Sequence, residues 1–262
     1  MRLNVVPAST GLLWVRLGFR TFLRQPLALG GLFFMFMGVA SVVSLVPLIG
    51  PALALALIPA ATVGLMAATR EADDGRFPMP PTLATAFRQG AQQTRAMLAL
   101  GGAYAGALML LMLLVDRLAG EPAVNASGEV TPEAMRQALA DSHVAWLLLL
   151  YLPIMAAFWH APALLHWHGV RPVKAVFFSL MACWANKGAM LAYLAGWMAV
   201  AAGVGLLLAG LGNLLGSNEV LQIVLFPLSL LMASMLNTSI WFTFRDSFIG
   251  GETDTTPSGE ST

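Results

Sequence analysis

The sequence predicts an all-α polytopic membrane bundle, with six transmembrane helices and three cytoplasmic interfacial elbow helices. Three observations predict it. Hydrophobic residues make up 58% of the 262 residues and charged ones only 10%, where a soluble domain has about 25% charged. With a mean hydropathy of +0.76, the chain cannot cover its apolar surface with polar groups, so lipid must be its solvent. The apolar residues fall into six continuous runs of 19 to 24 residues, close to the ~20 that a helix needs to cross the hydrocarbon core. If these runs cross alternately, twelve of the fourteen basic residues share one side, which the positive-inside rule makes the cytoplasmic one, with both termini.

The first elbow is GLLWVRLGFRTFLRQ. Helical spacing places Leu12, Val15, Phe19, Phe22 and Leu23 on one face, with Arg16, Arg20 and Arg24 in a row beside it. That pattern suits a helix in the membrane interface whose arginines reach anionic headgroups. No secretory leader is visible before Leu27, so the first span is expected to stay in the mature protein.

Spans at 27–48 and 51–69 follow. Between Arg24 and Arg70 lie 45 uncharged residues, interrupted only by VPLIGP. Their roughly 65 Å of helix suffices for a hairpin of two crossings. A re-entrant loop would return to the same side, and charge does not distinguish the two. The second elbow, TLATAFRQGAQQTRA, sets Leu83, Phe87 and Gly90 against Arg88, Gln92 and Arg95. Span three covers 96–115.

The extracytoplasmic loop 120–143 is predicted to hold a short helix, TPEAMRQALADS, with Thr131 as N-cap and Pro132 at N1. Span four covers 144–167. The third elbow, PVKAVFFSLMACWANKG, carries Phe177, Leu180, Met181 and Trp184 on a bulky face. Ser179, Ala182, Cys183 and Asn186 form a small, mildly polar face opposite, suited to close packing on a neighbouring helix. Spans five and six cover 189–211 and 220–243. Residues 1–249 thus read as one integral membrane domain, and 250–262, without an apolar residue, as a disordered cytoplasmic tail. The elbow-plus-hairpin unit starts near residues 12, 82 and 172, a loose threefold repeat.

Candidate chemistry is sparse. The stretch FWHAPALLHWHG (158–169) holds three of the four histidines. On a continuous helix His166 lies about 240° and His168 about 80° around from His160, so the rings converge as a metal site only if the helix breaks. No carboxylate lies nearby in sequence to orient them, and Trp159, His166, Trp167 and His168 read as an interfacial belt. His160 lies deeper and is the one ionisable side chain placed inside a span, hence a functional candidate. Pro162 predicts a kink beside it.

Asn237, Thr238 and Ser239 are further polar positions within a span, and Asn213 closes span five. For all of them interhelical hydrogen bonding is the expected role. Ala195, Ala199 and Gly203 in span five, and Gly102 and Gly106 in span three, form rows of small residues suited to close helix packing. The single cysteine, Cys183, excludes a disulfide framework or multi-cysteine metal site. The signatures GxxxxGK[ST], GxSxG, HExxH and CxxC do not occur. The prediction is therefore a non-enzyme without cofactor and without nucleic-acid partner.

The order WHAPALLHWHGVRPVKAVFFSLMACWANK resembles the pattern W-x-APAL … KA-x-FFS-x-x-AC-x-x-N. That pattern marks a family of six-helix proteobacterial inner-membrane proteins of uncharacterised activity. RQPLAL, PLIGPALALALIPA, VGLMAATR, YLP and FRDSF extend the likeness in order from about residue 12 to 250. Where the family commonly has an apolar or aromatic residue before APAL, this chain has His160. Where it commonly has a basic or polar residue before the asparagine, this chain has Trp184 and Ala185. The elbow-and-hairpin plan is also similar, in architecture only, to the membrane domain of bacterial glycerophosphodiester phosphodiesterases.

These readings favour a structural, assembly or lipid-organising role. The expected partners are membrane lipids, anionic ones above all, and a second copy or another membrane protein. A transporter or channel for a small or amphiphilic solute is the alternative, and a metal-dependent membrane enzyme the third reading.

Overall fold

A computed structural model describes residues 2–118, 142–215 and 218–249. The helix expected within the loop 120–143, the tail 250–262 and the side chain of Asn213 lie outside the described residues. Among the described residues the helices are α1 (Ser9–Arg24), α2 (Pro26–Ser44), α3 (Gly50–Asp73), a 3-10 helix (Pro80–Phe87), α4 (Ala91–Leu118), α5 (Ser142–Trp159), α6 (Ala161–His168), α7 (Pro172–Ala185), α8 (Lys187–Leu215) and α9 (Asn218–Ser247). Two short strands, β1 (Arg2–Leu3) and β2 (Phe248–Ile249), pair antiparallel, Arg2 opposite Ile249. Both ends of the described chain therefore meet on one face, called here the terminal face.

Among the described residues, six spans are long and apolar enough to cross a membrane, and 27–69 supplies two of them, α2 and α3. α3, at 24 residues, is about 36 Å long. It ends level with α9: Arg70 lies over the Trp241 ring at 5.8 Å, and Arg245 Nη1 reaches Asp73 Oδ2 at 3.4 Å. The fourth span is not one helix but two, α5 and α6, parted at His160.

The first elbow packs through a face shifted from the one its hydrophobic spacing suggests, keeping Val15, Phe19 and Phe22 but not Leu12 and Leu23. Gly11, Trp14, Val15, Gly18, Thr21 and Phe22 are buried, whereas Leu12 and Leu23 are exposed at 55% and 63%. The reason is a wedge. A side chain at Gly11 would strike the backbone of Ala189 and Tyr193, and one at Gly18 would strike Ser239. These two glycines let α1 enter the cleft between α8 and α9. Phe19 stacks on Trp197 at 5.2 Å, and Trp14 Nε1 donates to Asp246 Oδ2 at 2.8 Å. Hence α1 runs parallel to the first turns of α8 and antiparallel to the last turns of α9. Leu12 and Leu23 are left on the outside.

The second elbow is shorter than its sequence suggests. The 3-10 helix stops at Phe87, and Gly90, at φ 96°, turns the chain into α4. A positive φ is cheap for glycine and breaks the helical run there. The third elbow, α7, buries Ala175, Ser179, Ala182 and Cys183 and exposes Phe177, Phe178, Met181 and Trp184.

Among the described residues, the small-residue rows of the spans are not packing faces. Ala195, Ala199 and Gly203 are exposed, and a side chain at Gly102, Gly106 or Gly203 would meet nothing within 4 Å. α8 instead turns Ala189, Tyr193 and Trp197 inward, because α1 and α9 offer that row a ring to stack on and a hydroxyl to bond. On α4 the close approach is made by Gly101 against the Ala56 carbonyl.

Candidate functional site

The histidine stretch is organised by its helix break. In a continuous helix the His160 N–H would donate to the Ala156 carbonyl. Here it donates to Ser179 Oγ at 2.9 Å, and that hydroxyl donates in turn to Ala156 O at 2.7 Å. A side chain of α7 is thus inserted into the hydrogen-bond ladder of span four, a recognised cause of kinks. Pro162 contributes by lacking an N–H, and it sits in the first turn of α6, where proline is tolerated. Cys183 Sγ lies 3.6 Å from the same Ala156 carbonyl. Ala175 and Ala182 are fully buried, small enough to admit α7 that close.

The break sets His160 and His168 against the same pair of phenylalanines and turns His166 away from them. His160 is wholly buried with Phe244 and Phe248 at 6.0 and 5.5 Å between ring centroids, and neither ring nitrogen has a hydrogen-bond partner. His168 approaches the same two phenylalanines at 5.9 and 6.5 Å. His166 turns the other way, its Nε2 3.3 Å from the Gln89 amide nitrogen. Its Nδ1 is buried without a hydrogen-bond partner. Gln93 bonds the Leu165 carbonyl beside it. Among the described residues, no three of His, Cys, Asp and Glu gather where they could hold a metal ion.

The aromatic residues of this stretch pack into a cluster with the last turns of α9. Trp159 donates to Thr243 Oγ1 at 3.1 Å and packs edge-on to Tyr193. Trp167 lies between Trp241 and Phe244, 5.3 and 5.4 Å away. The last turns of α9 are thus the hub to which span four is tied.

The polar positions of α9 divide. Ser239 is the interhelical one: Tyr193 Oη lies 2.6 Å from its hydroxyl, Trp197 Nε1 donates to it at 3.2 Å, and it donates to Leu236 O at 2.6 Å. Thr238 is satisfied within its own helix by Ser234 O. Asn237 is half-buried, and its Oδ1 has no partner. Asn186 clamps the N-terminal segment, accepting from Val6 N–H at 2.8 Å and donating to Asn4 O at 3.0 Å.

Sequence reasoning missed Trp14, Gln89, Tyr193, Trp197 and Asp246. For two of them a signal existed. Tyr193 and Trp197 stand four residues apart on a helix otherwise built of small and aliphatic residues, each with a polar tip that needs a partner when buried.

Arg16, Arg20, Arg24, Arg88 and Arg95 are all exposed. Among the described residues none of the five has a carboxylate partner.

The fold and these contacts define a class, a multi-pass membrane protein held together by aromatic and hydroxyl contacts beneath its terminal face. Within that class, 95% of the chain is 38% identical to 94% of a probable inner membrane protein of Burkholderia thailandensis, and the chain belongs to that family of inner membrane proteins. Neither a protein-family profile nor a solved structure matches it.

Proposed function

We propose that this protein is a non-enzymatic inner-membrane component that binds and organises anionic lipid in the cytoplasmic leaflet. One observation carries the reading. Arg16, Arg20 and Arg24 stand exposed at intervals of four on a helix wedged firmly between α8 and α9. Free arginines on a mobile helix would indicate little, but a row held by a buried wedge presents its charges at a constant spacing. Such a row attracts an anionic leaflet, at about 1 kcal/mol per basic residue near the surface.

In this reading the terminal face, which carries Arg171, Lys174 and Lys187 as well, is cytoplasmic. A fluorescent domain that matures only in the cytoplasm, fused after Thr262, then becomes fluorescent. A dark, intact fusion would reverse the orientation.

The direct test is native mass spectrometry of protein released from bilayers containing equal phosphatidylglycerol and phosphatidylcholine. The expected result is selective retention of phosphatidylglycerol, reduced several-fold in the combined Arg16→Glu, Arg20→Glu, Arg24→Glu variant. Equal retention of both lipids by the unmodified protein sinks the reading.

A further inference from the structure

A furrow of about 220 Å³ runs between α2, α3 and the 3-10 helix. It owes its shape to a backbone contact. Any side chain at Gly64 would collide with the backbone of Leu83, so glycine there lets the 3-10 helix rest directly on α3. Phe36 and Val39 of α2, Leu57 of α3, and Leu83, Ala84 and Phe87 of the 3-10 helix are among its walls, and no polar side chain takes part. The outer side is open, with Val39 exposed at 51% and Ala84 also exposed.

Three features say what fills it. Phe36 and Leu57 lie well inside two membrane-spanning helices, so hydrocarbon rather than water faces the opening. The volume is below the about 300–1,000 Å³ of sites for drug-sized ligands, so the furrow takes a narrow chain and not a rounded solute. Its Phe87 end is also cationic. Arg88 follows Phe87 directly, and the Thr94 hydroxyl, 3.4 Å from Phe87 O, brings Arg95 to the same end. Both arginines are exposed. An apolar furrow ending in two cations is complementary to an alkyl chain that ends in an anion.

We propose that this furrow holds one acyl chain of an anionic phospholipid, with its phosphate against Arg88 and Arg95. The proposal deepens the lipid-binding reading above and rests on it. It also separates two roles for the arginines. The row on α1 gathers anionic lipid in general, and the pair beside Phe87 orders a single molecule.

The test uses the full chain and the same two-lipid bilayers. Ala84→Trp fills the furrow from an exposed position. The expected outcome is loss of one retained phosphatidylglycerol in Ala84→Trp and in the Arg88→Glu, Arg95→Glu variant. The α1 triple variant keeps that one lipid while losing others. If Ala84→Trp holds the same number as the unmodified protein, the furrow assignment fails and the α1 reading stands. If the unmodified protein does not prefer phosphatidylglycerol, both fail. A dimer lost in Ala84→Trp with unchanged lipid count would show that a second copy occupies the furrow, and would also overturn the proposal.

Phosphatidylglycerol carrying a photoactivatable acyl chain gives an independent readout. Labelling is expected in the peptides holding residues 36–39 and 83–87. Labelling spread evenly over the lipid-facing helices overturns the assignment.

Discussion

Ser179 takes the place of a backbone hydrogen bond at His160. Its hydroxyl accepts the His160 N–H at 2.9 Å and passes the bond on to the carbonyl that N–H would otherwise have reached. The kink in span four and the seat of α7 are therefore one structural event. Neither half is satisfied without the other, since a buried amide with no partner costs about 1–3 kcal/mol.

Ser179→Ala removes that bridge, leaving the His160 N–H unpaired and Ala156 O with only the weak Cys183 thiol donor. The expected effect is a loss of about 1–3 kcal/mol in stability, read as a lower Tm in detergent. An unchanged Tm would mean that the helix closes its own ladder when the hydroxyl is gone.

The His160 ring, by contrast, is held by shape alone, because both of its nitrogens lack partners in a fully buried site. Replacing a buried polar group without partners by an apolar one of similar shape is close to neutral or stabilising. His160→Phe is accordingly expected to keep or raise the Tm. A marked fall would reveal a bonded partner for the imidazole.

Glycine substitutions should separate the real packing face from the apparent ones. Gly18→Leu drives a side chain into Ser239 and is expected to cost at least the about 1–3 kcal/mol of an overpacked core. Gly102→Ala and Gly203→Ala, which meet nothing within 4 Å, should change stability by less than about 0.5 kcal/mol. Thermal unfolding of the three variants side by side checks the contrast, and a Gly203→Ala loss as large as that of Gly18→Leu would refute it.

Cys183 is buried, and burial pushes its thiol up to about 12. The thiolate is the reactive form, so the group stays neutral and inert until pH approaches that value. A maleimide is expected to leave the folded protein unmodified at pH 8 and to label it fully once denatured. Rapid labelling of the folded protein would place α7 away from α5.

The outline of the fold was legible in the sequence because crossing a bilayer imposes a length and a composition. Arg24 and Arg70 bracket a charge-free stretch long enough for two helices, and α2 and α3 occupy it. Pro162 announced the break at His160, since a proline cannot continue the ladder. What the sequence did not disclose was the partner at the break, because Ser179 comes from another helix nineteen residues on. Nor did it disclose that Leu12 and Leu23 face outward while Trp14 and Gly18 face in.

The sequence by itself determined the number of spans and the sorting of α7 into a small face and a bulky one. Tertiary structure alone decided which face of each helix is buried: Tyr193 and Trp197 instead of Ala195, Ala199 and Gly203, and Gly101 instead of Gly102. The physical reason lies in the solvent. Lipid tails are as apolar as a protein core, so hydrophobicity does not distinguish the outside of a membrane helix from its inside. The choice falls to backbone approach and to hydrogen bonds such as those at Ser239 and Ser179, and these exist only once the helices have met.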